Sequence, residues 1–143
     1  MYEFYTRQSL PTKKYRELLG SALFVFSSNN SFIIENIIKT DPSNNWYELV
    51  DKESGRLKDF ISKTISKKSK DNKIENLFLE IVRMRNRIIH GFSITSENGE
   101  QILATKTRIK DGNNQYHITE EYLLDFIKKN EELSDILHKY RGY

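Results

Sequence analysis

Apolar side chains recur along most of this chain at three- and four-residue spacing, the period of an amphipathic helix. Tyr15, Leu18, Leu19, Ala22, Leu23 and Phe26 form the first such series, behind Thr12, a residue type that caps helix N-termini, and an irregular leader ending at Pro11. The polar run Ser27-Ser-Asn-Asn-Ser predicts a turn or frayed joint. Helical spacing resumes at Phe32, Ile33, Ile37 and Ile38 and stops at the loop-forming Thr40-Asp-Pro-Ser-Asn-Asn. Trp46, Leu49, Val50, Leu57, Phe60, Ile61, Thr64 and Ile65 predict a further helix, with Gly55 weakening its middle, and Ser66 to Asn72 reads as a polar loop. The strongest stripe is Ile74, Leu77, Phe78, Ile81, Met84, Ile88 and Phe92, with Gly91 as the terminator.

The period then changes. Residues 101–109 are rich in β-branched side chains with partial alternation, Asp111-Gly-Asn-Asn is turn chemistry, and Gln115-Tyr-His-Ile supplies a returning strand. Thr119-Glu-Glu opens a last helix carrying Tyr122, Leu123, Phe126, Ile127, Leu133, Ile136 and Leu137. The expectation is a mainly all-α fold: one domain over residues 1–143, a bundle of four to five helices with a small β-hairpin before the last helix.

Composition narrows the chemistry. The 143 residues include no cysteine, which removes disulfides, thiolate metal sites and a cysteine nucleophile. The longest apolar run, Ala22 to Phe26, is too short to cross a bilayer, and the N-terminus lacks the apolar segment of a secretory signal; the expected location is the cytoplasm. The formal net charge of +3 says little, but its distribution is uneven. Seven basic side chains (Arg56, Lys58, Lys63, Lys67, Lys68, Lys70, Lys73) stand between Arg56 and Lys73 against Asp59 and Asp71. Residues 119–135 are acidic in turn. Such a basic arm fits a polyanionic ligand and equally a solvated helical surface.

The informative stretch is Arg83-Met-Arg-Asn-Arg-Ile-Ile-His-Gly. At about 100° per residue, Arg85 falls in the same arc as Ile74, Phe78, Ile81, Ile88 and Phe92, whereas Arg83 and Arg87 point to the polar face. A guanidinium stays charged in a core, so Arg85 needs a carboxylate, carbonyls, a water-reached edge or a subunit interface. His90 lies about 140° round the helix from Arg85, while Asn86 stands one turn below His90 and is placed to orient its imidazole.

Arg85-Asn86-Arg87-Ile88-Ile89-His90 resembles the signature of the HEPN superfamily, an Arg, four to six residues and a His, with a polar residue after the Arg. The family's compact helical bundle, with this motif on a later core helix, matches the helix count expected here. The resemblance implies a metal-independent endoribonuclease of toxin or antiviral-defence type that works as a homodimer. His90 would be the general acid or base at the ribose 2′-hydroxyl or leaving oxygen, Arg85 would stabilise the phosphorane, and Asn86 would hold His90 or phosphate. The products would be a 2′,3′-cyclic phosphate and a 5′-hydroxyl. No cofactor is implied, and the three histidines, His90, His117 and His138, lack metal-ligand spacing. Arg83, Arg87, Lys67, Lys68 and Lys70 are candidates to guide the RNA backbone. An antitoxin or regulatory protein is a further implied partner. The competing readings are a non-catalytic HEPN module that binds nucleotides or a partner, and a generic helical interaction domain.

Overall fold

The structure, a computed structural model, describes residues 1–142. Thr12 caps the first long helix by accepting from the Tyr15 amide at 3.2 Å, and α1 then runs unbroken over Lys13–Thr40. The expected joint at Ser27–Ser31 is absent, and tertiary hydrogen bonds explain why. Asn29 turns inward and donates its amide to the backbone oxygen of Asn130 at 2.8 Å and to Oδ1 of Asn130 at 3.0 Å. Asn130 donates in turn to the Phe126 carbonyl at 2.9 Å. Asn29, a weak helix former, is held in the helix because its side chain is used on another element rather than on its own backbone. These contacts tie α1 to the last helix, α6 (Glu120–Arg141).

Between them the chain is more broken than its apolar spacing predicts. The Asn45 side chain caps a short α2 (Trp46–Val50). A single 3-10 turn at Ser54–Arg56 follows, so the helix expected from Trp46 to Ile65 is interrupted just before Leu57. The polar loop expected from Ser66 is instead helical as far as Ser69. There α3 (Leu57–Ile61) passes through a π turn (Ser62–Ser66) into α4 (Lys67–Ser69). The π turn brings two hydroxyls onto one buried acid: Ser62 Oγ and Ser66 Oγ both donate to Glu75 Oε1. Hydroxyls four positions apart reach a single carboxylate oxygen, and the buried acid is thereby satisfied without a cation.

The amphipathic stripe forms α5 (Lys73–Ile89), which buries Ile74, Phe78, Ile81, Val82 and Ile88. The Phe26 ring stacks between Phe78 and Phe126 at centroid distances of 6.4 and 6.3 Å, joining α1, α5 and α6. Phe92, expected on the helix, instead begins β1 (Phe92–Thr95). That strand pairs antiparallel with β2 (Gln101–Lys106), which pairs with β3 (Gln115–Ile118), so the expected hairpin is a three-stranded sheet in the order β1-β2-β3. Gly91 makes the sharp exit from α5 possible by close approach rather than by a left-handed turn. A Cβ there would meet the carbonyl oxygens of Ile88 and Ala104 at 3.0 and 3.1 Å.

Tyr15 fastens the sheet to the bundle. Its hydroxyl donates to the Ile118 carbonyl at 2.6 Å and accepts from the Leu103 amide at 3.0 Å. Tyr122 completes the seam by donating to the Met84 carbonyl of α5 at 3.1 Å. No helix among the described residues is long and apolar enough to cross a membrane.

Candidate functional site

A cleft of about 690 Å³ opens between the middle of α1, the 50–55 connection and the C-terminal end of α5, and Arg85, Asn86 and His90 all line it. Arg85 comes from the apolar face of α5, half-buried, with its guanidinium carbon 4.8 Å from the centre of the Phe26 ring. Burial holds its pKa below the ordinary arginine range, with no charge partner opposing the shift. Its Nε is buried without an acceptor.

Two other arginines sharpen the contrast. Arg16 and Arg141 also bury Nε without an acceptor, yet each faces a carboxylate, Glu3 at 3.4 Å and Glu35 at 3.8 Å. Arg85 has no ion pair among the described residues. Its ring contact contributes about 0.5–2 kcal/mol, but a ring supplies no hydrogen-bond acceptor, so the terminal Nη donors of the fork, unlike the buried Nε, stay available to a ligand in the cleft. The α5 end alone would repel an anion, because its free carbonyls carry partial negative charge. A phosphate in this cleft therefore depends on the guanidinium.

His90 follows the last residue of α5 as its C-cap, with φ −98° and ψ 12°. Its backbone amide donates to the Asn86 carbonyl at 3.0 Å, and its imidazole is exposed. The expected side-chain link from Asn86 to the imidazole does not form; the two residues meet through backbone only. Although about 140° separates Arg85 and His90 on an ideal helix, both line the cleft, and the chain leaves α-helical geometry at His90.

The remaining sequence candidates lie elsewhere or serve the fold. Arg87 donates to the Lys106 carbonyl of β2 at 3.2 Å, so it braces the sheet against α5. Arg83 is exposed on α5. Lys67, Lys68 and Lys70 sit beside the N-terminal end of α5, while His90 caps its other end, about 25 Å away at 1.5 Å per residue. Lys68 places its ammonium 5.8 Å from the Tyr140 ring centre. One protomer thus does not bring these lysines to the cleft. His138 packs on Phe32 at 4.7 Å, and His117 is exposed on β3. Among the described residues no three His, Asp or Glu side chains gather where they could hold a metal ion.

Sequence reasoning misses the opposite wall of the cleft. Phe26 is legible only as core, and the composition of Ser27, Asn30 and Ser31 suggests a turn. On an unbroken helix those three positions share one face, and all line the cleft. The usable signal is that the apolar spacing on either side of the run is in phase with a single helix. No family model matches this chain, and neither a curated protein nor a solved structure matches it.

Proposed function

We propose that the protein is a metal-independent endoribonuclease of the HEPN type, with Arg85, Asn86 and His90 as its reacting groups. One observation carries the reading: a half-buried guanidinium without a carboxylate, in a cleft it shares with an accessible imidazole. In the proposed reaction His90 takes the proton of the ribose 2′-hydroxyl. The 2′-oxygen bonds to phosphorus, and the bond from phosphorus to the 5′-oxygen breaks. The leaving oxygen is protonated from solvent or by a second imidazole, giving a 2′,3′-cyclic phosphate and a 5′-hydroxyl. Arg85 holds the phosphate and stabilises the charge that grows on the phosphorane oxygens, where its planar fork suits two of them. Asn86 adds a hydrogen bond to phosphate rather than to His90.

Through the same resemblance the proposal extends to a homodimer acting in the cytoplasm as a toxin or antiviral-defence effector on cellular RNA, restrained by an antitoxin or regulatory protein. One feature favours a second reading, a non-catalytic nucleotide- or partner-binding module: the His90 ring has no side chain or carbonyl among the described residues to fix its tautomer. Purified protein incubated with RNA in EDTA separates the two. Fragments ending in a 2′,3′-cyclic phosphate and a 5′-hydroxyl support the nuclease, whereas RNA that is bound but intact supports the module.

A further inference from the structure

The α1 wall of the cleft stands beside Arg85. Ser27 stands one helical turn before Asn30 and Ser31, and all three line the cleft. Asn30 differs from the other asparagines of the helical core. Asn29, Asn36 and Asn130 each give their amide N–H to a backbone carbonyl, at 2.8, 2.8 and 2.9 Å. Asn30 instead has its Oδ1 held by the hydroxyl of buried Ser54 at 2.9 Å. That bond fixes the plane of the amide and engages one lone pair of its oxygen, and the Nδ2 donors have no acceptor among the described residues. Leu23, Val50 and Ile89 border the same cleft as partly exposed apolar surface suited to the face of a flat ring. The cleft falls within the roughly 300–1,000 Å³ of ordinary small-ligand sites.

Resting on the nuclease reading above, we infer that this wall is a nucleobase subsite in which Asn30 selects a base that carries a carbonyl oxygen where cytosine and adenine carry an exocyclic amine, O4 of uracil or O6 of guanine, beside the phosphate held by Arg85. A fixed donor rewards a keto oxygen and penalises an exocyclic amine, because two donors facing each other leave both unpaired. The hydroxyls of Ser27 and Ser31 adapt as donor or acceptor to the rest of the base edge. Asn30 is thus a specificity residue and takes no part in the proton transfers.

The test is calorimetric titration of the four nucleoside 3′-monophosphates into the full chain. Uridine and guanosine 3′-monophosphates are expected to bind about tenfold more tightly than the adenosine and cytidine compounds, the size of one hydrogen bond made or left unpaired. Asn30→Asp, which turns the donor into an acceptor while Ser54 keeps its bond, should invert that order. Ser54→Ala, which frees the amide to rotate, should flatten it and provides the check if Asn30→Asp folds poorly. Equal binding of all four by the wild type, or an order unchanged in both variants, overturns the inference. Cleavage without base discrimination would remove the subsite and leave the nuclease. Discrimination without cleavage would do the reverse.

Discussion

Arg16 and Arg141 face glutamates, and Arg85 on α5 faces a ring and a cleft. Desolvating a charge without a partner opposes folding, so a side chain kept in that state is a candidate for a ligand's counter-charge. The sequence places Arg85 on the apolar face correctly, because helical periodicity is enough for that, but periodicity does not register what stands opposite. Phe26 looks like any other core residue in the sequence, and only the tertiary fold sets its ring against the guanidinium. His90 presents the converse case, an exposed side chain that adds little to the fold. His90→Ala should reduce RNA cleavage by about 10²–10⁴-fold, the usual contribution of a general acid or base. It should shift stability by no more than about 0.5 kcal/mol, as expected of a surface position. Parallel assays and urea melts check both numbers.

At the scale of elements, two departures from the local sequence signals occur where polar side chains find distant partners. The run Ser27–Ser31 has the composition of a turn yet remains helix, because Asn29 reaches Asn130 and Asn30 meets Ser54 across the fold. Local propensity is worth tenths of a kcal/mol per residue, less than one buried hydrogen bond satisfied or lost. The π turn at Ser62–Ser66 is equally hidden from the sequence, since Glu75, the partner of its two serine hydroxyls, lies in another helix. β1 escapes notice because Phe92 also fits the helical stripe, and only the close approach at Gly91 ends it. Tyr15→Phe should cost about 1–3 kcal/mol by leaving the Ile118 carbonyl and the Leu103 amide without their partner. Hydrogen exchange should quicken in residues 101–118 before it does in α5 or α6; uniform loosening would count against Tyr15 as the sheet's anchor. Burial, with Tyr116 and Asp125 adding to it and Arg87 opposing, pushes the Tyr122 phenol up to about 12, and burial raises Tyr15 as well. A phenol in the unfolded chain ionises near pH 10. Above that pH the unfolded state releases protons that the folded state retains. This part of the stability is therefore whole below about pH 10 and declines as pH rises toward 12. Urea melts at pH 8, 10 and 11 should show that decline, and Tyr122→Phe should reduce its slope.

Across the whole molecule, the end of α5 that carries Arg85 and His90 and the lysine-rich segment lie at opposite ends of that helix. Composition reveals a basic arm but not its distance from His90. If Lys67, Lys68 and Lys70 guide RNA, they act on a distant part of the strand or from a second copy of the chain. Replacing all three with Gln should weaken RNA binding and reduce the slope of log affinity against log salt by about 0.7 for each phosphate no longer neutralised. An unchanged slope would make the arm a solvated surface. The central claim is that Arg85 is kept without a carboxylate so that a phosphate can take that place. Arg85→Met tests it most directly, because the thioether fills the same space over Phe26 and removes the desolvated charge. RNA cleavage and melting temperature measured on one preparation should show activity abolished while the melting temperature holds or rises. Cleavage at the wild-type rate would contradict the claim, and so would a collapse in melting temperature that takes the activity with it.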